Sequence, residues 1–284
     1  MIDNALDGYS VTIFAYGQTG GGKTYTIMGR EDSINENVLN NDQYTGIIPK
    51  SIKYLWNAVT HKNEKYFIKV SFLEIYNEQI NDLLNTKSSN LQIRWNQKQG
   101  FFVEGLCVID CKNPNDIVEI LLEGQKNRKI GSHELNRDSS RSHTIMTIYV
   151  ISEFQSEGQT FKKYGKISFV DLAGSERLKE SKSQGDMVKE TGNINRSLFV
   201  LGKVISTLTE KKNSKQHIPY RDSKLTMLLM DSIGGSSKTL MIACITPSQA
   251  YADETTSTLN YAARTMNIKN KPAIQVFYFF IYQA

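Results

Sequence analysis

Apolar positions in this chain follow two rhythms that alternate along its length. Residues 11–16 (VTIFAY) form a short β-branched and aromatic run, which predicts a buried strand. Residues 67–76, 144–151, 167–170 and 239–245 predict further strands. Between them the spacing widens. Ile194, Leu198, Leu201, Ile205 and Leu208 recur every three or four residues, predicting a long amphipathic helix over 190–209. Helices are also predicted over 51–60, 223–233 and 253–268, and one begins at 25–28. Asn113-Pro114 opens another, because Asn accepts from unpaired amides and Pro suits the first helical position. That helix carries Ile117, Val118, Leu121 and Leu122 inward and ends near Gly131. Residues 30–44 are polar and predict a surface loop. The alternation predicts an α/β fold, a mostly parallel or mixed central sheet with helices on both faces, and no linker divides residues 1–271.

Bulk numbers narrow the class. The 284 residues are 39% hydrophobic and 22% charged, the balance of a globular domain. The formal charge of +5 is mild. It permits an acidic partner surface, and no nucleic-acid motif accompanies it. Three scattered cysteines point to a reducing compartment rather than a disulfide framework. The four histidines form no metal-ligand set. The longest apolar run, 276–282, is far short of the roughly 20 residues that cross a membrane. The N-terminal residues lack a secretory signal pattern, so the expected location is the cytoplasm.

Chemistry enters at residues 17–24. Gly17, Gln18, Thr19, Gly20, Gly21, Gly22, Lys23 and Thr24 match GxxxxGK[ST], between a predicted strand and a predicted helix. Glycines let backbone N–H groups curl around phosphate oxygens. Lys23 neutralises β/γ-phosphate charge, and Thr24 is placed to ligate Mg²⁺. Asp171 ends the apolar strand 167–170, where P-loop proteins hold Mg²⁺ through a carboxylate. It opens the run Asp171-Leu172-Ala173-Gly174-Ser175-Glu176, in which Gly174 can offer an unobstructed N–H to a γ-phosphate. Upstream, Asn136-Arg137-Asp138-Ser139-Ser140-Arg141-Ser142-His143 gathers small hydroxyls and arginine before a strand.

These motifs, in this order, resemble the kinesin family: GQTGxGKT as its phosphate loop, NxxSSRSH as its first switch and DLAGSE as its second. The resemblance continues through Asn195-Arg196-Ser197-Leu198, the run from His217 to Thr226, and Ser257-Thr258-Leu259-Asn260-Tyr261-Ala262. It implies an ATP-hydrolysing, microtubule-stimulated motor of the cytoskeleton, with ATP and Mg²⁺ as cofactors. In it, Thr24 and Ser140 hold Mg²⁺ and Asp171 reaches the ion through water. Ser139 positions the attacking water, and Asn136 donates toward the γ-phosphate. Arg141 and Glu176 close the site as a salt bridge, Glu176 also relaying a proton. The helix over 190–209 passes the closure on. Lys211, Lys212, Lys215, His217, Arg221 and Lys224 would face tubulin. Residues 210–225 hold five Lys and Arg against two carboxylates.

Two departures from the family pattern stand out. The family carries an earlier strand and helix, with an adenine-packing Arg-x-Arg-Pro, where this sequence has ten residues before the predicted P-loop strand. The expected domain is therefore residues 1–272 without that strand and helix, leaving the P-loop strand short of a neighbour. Residues 273–284 (AIQVFYFFIYQA) are an aromatic, uncharged tail in place of a neck linker, and no coiled coil follows in this chain. Gly21 stands where the family usually has Ser. A GTPase is disfavoured because residues 270–273 lack the Asp of a base-reading motif, and a myosin because its second switch reads differently. The remaining alternative is a fragment that binds tubulin without turnover, and no nucleic-acid or membrane partner is expected.

Overall fold

The computed structural model describes residues 1–30, 38–39, 44–62, 64–97, 100–134, 139–156, 159–176, 186–210 and 217–278. The strands are β1 (Ser10–Tyr16), β2 (Lys65–Tyr76), β3 (Gln79–Asp82), β4 (Ile93–Asn96), β5 (Gly100–Val103), β6 (Ile109–Cys111), β7 (His143–Ser156), β8 (Gln159–Asp171), β9 (Lys238–Ala243) and β10 (Val276–Tyr278). The helices are α1 (Ile2–Leu6), α2 (Lys23–Met28), α3 (Ile47–Thr60), α4 (Pro114–Glu134), α5 (Asp186–Thr209), α6 (Lys224–Leu228) and α7 (Ala252–Thr265).

The main sheet runs β3-β2-β7-β8-β1-β9. β1 is parallel to β8 and β9, while β7 is antiparallel to both its neighbours, β2 and β8, so the sheet is mixed as expected. Period-2 alternation sends Val11, Ile13 and Ala15 to one face, where α1, α3 and α4 cover them with Leu6, Ile52, Leu55, Ile117 and Leu121. Phe14, Ile75, Ile145 and Val170 point to the other face, packed under Leu201, Val204 and Ile205 of α5 and Leu225 of α6.

Two expectations change, and one segment gains an element. β1 has a strand on each side, so the P-loop strand is fully paired, and the sheet path ends one strand further on, at β9. Among the described strands β9, rather than β1, stands at the end of that path. The helix expected over 223–233 stops at Leu228, because the chain turns through residues 229–237 toward β9. Of the tail, for which no element was predicted, Val276–Tyr278 forms β10, antiparallel to Phe161–Lys163 of β8. Residues 279–284 lie outside the described part.

Candidate nucleotide site

The C-terminal ends of parallel strands β1 and β8 converge at residues 17–24. Gly17 leaves β1 with φ +151°, and a Cβ there would lie 2.0 Å from the carbonyl oxygen of Cys244, just past β9. Only glycine lets the loop pass this close. Gly22, in the left-handed region, caps α2. Inside the loop, Gly21 N–H donates to Gln18 O at 3.1 Å and Lys23 Nζ to the same carbonyl at 2.9 Å. Lys23 is buried at 7% exposure, which lowers its pKa, while Asp171 and Glu176 counter that shift.

Thr24 Oγ1 donates to Asp171 Oδ2 at 2.6 Å. The second carboxylate oxygen, Oδ1, is buried without a hydrogen-bond partner. An orphaned carboxylate oxygen beside a threonine hydroxyl at the phosphate loop is a donor set that fits a hydrated Mg²⁺.

The 171–176 segment lies against the loop. Glu176 accepts from Thr19 N–H at 2.8 Å and from Thr19 Oγ1 at 2.6 Å. Ser175 N–H donates to Gly17 O at 3.0 Å, and Gly174 N–H to Ser140 O at 2.8 Å. A Cβ on Gly174 would meet the Glu176 carboxylate and Thr19 Oγ1 at 2.3–2.4 Å, so a side chain there would have to displace the Glu176–Thr19 contact. Ser140 and Arg141 lie in the 3₁₀ turn Ser139–Arg141 that precedes β7. Asn136 and the side chain of Ser139 lie outside the described part.

Sequence reading gave no role to two residues here. Arg128, on α4, sits between three groups: Nη2 donates to Ser142 Oγ at 3.1 Å, Nη1 is 3.8 Å from Asp171 Oδ2, and Nε is 3.7 Å from Glu74 Oε1. No local motif marks it, since only the fold carries α4 to the site. His143 is the second, 2% exposed and held from both ring nitrogens.

Of the six basic positions expected to face a partner, Lys211, Lys212 and Lys215 lie outside the described part. His217 and Arg221 are exposed, and the Arg221 guanidinium lies 5.5 Å from the Phe101 ring centre. Lys224 is half-buried. Its N–H donates to Glu78 Oε2 at 2.7 Å and its Nζ to Asn90 Oδ1 at 3.3 Å, so much of it is spent on internal contacts. Burial raises the thiol pKa at Cys107, Cys111 and Cys244, to about 12 at Cys111, which favours the neutral thiol at each. Among the described residues no His, Cys, Asp and Glu cluster forms a metal set, and no helix is long and apolar enough to cross a membrane.

The kinesin motor domain profile matches residues 1–268. This chain belongs to the kinesin motor domain family. It is 45% identical over 282 residues to the kinesin-like protein KIN-12E of Oryza sativa subsp. japonica, covering 96% of this chain and 15% of that protein. It is 44% identical over 281 residues to the kinesin-like protein KIF15 of Mus musculus, covering 96% of this chain and 20% of that one. A solved fast kinesin superposes with a TM-score of 0.88 at 36% identity, covering all of this chain and 77% of the other. The chain thus spans about a fifth or less of these curated kinesin relatives.

Proposed function

We propose that this kinesin-family chain binds and hydrolyses ATP with Mg²⁺ and couples that cycle to microtubules. The observation that carries the reading is the Thr24–Asp171 pair at the base of the glycine loop, with the orphaned Asp171 Oδ1 beside it. Lys23 would exchange the Gln18 carbonyl for phosphate oxygens, and the amides of residues 17–22 would line the phosphates. Thr24 and Ser140 would hold Mg²⁺, with Asp171 acting through water; the ion would supply positive charge that offsets the negative charge of the phosphates during phosphoryl transfer. Ser139 would position the attacking water, and Asn136 would donate toward the γ-phosphate. Gly174 would turn its N–H from Ser140 O to a phosphate oxygen. Glu176 would leave Thr19 for Arg141, closing the site around the triphosphate and relaying a proton. Desolvated pairs of this kind cost about 3–5 kcal/mol to break, enough to make closure depend on both partners. Residues 211–224 would supply the tubulin contact, which places the chain on the cytoskeleton. An ATPase assay with and without polymerised tubulin tests this reading. Turnover that rises on adding microtubules is expected. Co-sedimentation without turnover would favour the tubulin-binding fragment, and absence of nucleotide binding would overturn the site.

A further inference from the structure

His143 is the first residue of β7, two positions after the Ser139–Arg141 turn. Its Nδ1 accepts the Ala173 N–H at 2.9 Å. Nδ1 therefore carries no proton, and the ring's single proton lies on Nε2, which donates to Ser197 Oγ at 2.6 Å. Burial, together with the charges of Arg128 and Lys23, pushes the His143 pKa down to about 3, so the ring keeps this one neutral tautomer. Ser197 is 3% exposed on α5, one turn before the fully buried Leu201. Ala173 lies between Asp171 and Gly174, in the segment that meets the phosphate loop. The covalent route from Glu176 to α5 runs through residues 177–185. The imidazole is a second, direct route, two hydrogen bonds long and inside the core.

We propose that His143 is a positioning residue that ties the 171–176 segment to α5, so that movement of Ala173 at the nucleotide site is passed to the helix through the imidazole and Ser197. The proposal rests on the ATP reading above and names residues for its coupling step. Both bonds are buried. Displacing Ala173 must therefore either drag the imidazole and Ser197 along or leave a buried ring nitrogen of His143 without its partner, and the second course is costly.

Variants can cut the link at either end. His143→Asn places its amide oxygen near the Nδ1 position and keeps the Ala173 bond, but does not reach Ser197. His143→Gln reaches Ser197 and gives up Ala173. Ser197→Ala removes the hydroxyl at the helix end, and Ser197→Thr keeps one. Hydrogen–deuterium exchange across residues 196–209 would be followed in the 284-residue chain, with and without Mg²⁺ and a non-hydrolysable ATP analogue, beside titration of a fluorescent ATP analogue. Wild type and Ser197→Thr should show a nucleotide-dependent change in α5 exchange. His143→Asn, His143→Gln and Ser197→Ala should lose most of it. Microtubule stimulation of turnover should fall about 3- to 30-fold. The KM for ATP should hold within about threefold, because the phosphate contacts remain. The double variant His143→Asn/Ser197→Ala should be no worse than the worse single one, since both cut one link. A full nucleotide response of α5 in Ser197→Ala, or losses that multiply in the double variant, would overturn the proposal. Should the His143 variants fail to fold, the Ser197→Ala and Ser197→Thr pair decides alone, because alanine suits a helix. A wild-type chain that binds no ATP analogue sinks the site reading and this proposal together; intact binding with an unchanged α5 response sinks this proposal only.

Discussion

At the scale of single residues, burial sets what each group does. Lys23 is held inside the loop on the Gln18 carbonyl, ready for an anion that offers more than one neutral oxygen. Lys23→Ala should abolish binding of a fluorescent ATP analogue, whereas Glu176→Ala should bind the analogue and fail to turn it over. Equal loss of binding in both would remove the closing role assigned to Glu176. His143 makes a second, pH-dependent prediction. Its pKa falls from an ordinary 6.5 to about 3 on folding, chiefly by burial. Between those values the unfolded chain binds a proton that the folded chain does not. Stability from this group is therefore complete above about 6.5 and is lost as pH falls toward 3, by about 1.4 kcal/mol per pH unit. Urea melts of His143→Gln against wild type across this window should show the variant's profile flatter by that slope.

At the scale of elements, close approach overrides local preference. Gly124 sits in the middle of α4, where alanine would favour the helix by about 1 kcal/mol. Its Cβ would lie 2.2 Å from a ring carbon of Phe72 on β2. Gly124→Ala should therefore destabilise the chain by about 1–3 kcal/mol in denaturant melts, the reverse of its helix propensity. β9 carries a different consequence. Among the described strands it pairs on one side only, with β1, and Leu240 is 42% exposed along it. An apolar edge of this kind templates pairing between chains. Leu240→Lys should lower the rate of aggregation, followed by light scattering on warming, without moving the nucleotide affinity. An unchanged rate would place the aggregating segment elsewhere.

At the scale of the whole molecule, the chemistry of the phosphate loop lies at the strand ends of β1 and β8, while the basic stretch 211–224 follows α5. Neutralising Lys211, Lys212, Lys215 and Arg221 together should weaken co-sedimentation with microtubules and flatten its salt dependence, since exposed charges act chiefly by steering and are screened over about 8–10 Å. Basal ATPase should barely change. Lys224 is left out of that set because Glu78 and Asn90 hold it.

The sequence by itself determined the strand and helix rhythm, the phosphate-loop motif and the family, because these rest on local spacing: period 2 in β1, period 3.6 in α5, glycines where backbone must approach a ligand. The short elements β3 to β6 escaped it, being too brief to carry a period. Tertiary structure alone decided which of the described strands stands at the end of the sheet path, since that depends on pairing between distant segments rather than on composition: β1 and β9 are both largely apolar in sequence. It also brought Arg128 of α4 beside Asp171, and joined His143, Ala173 and Ser197 across three elements. Residues so far apart along the chain share no local pattern, and their meeting is fixed only when both faces of the sheet are packed.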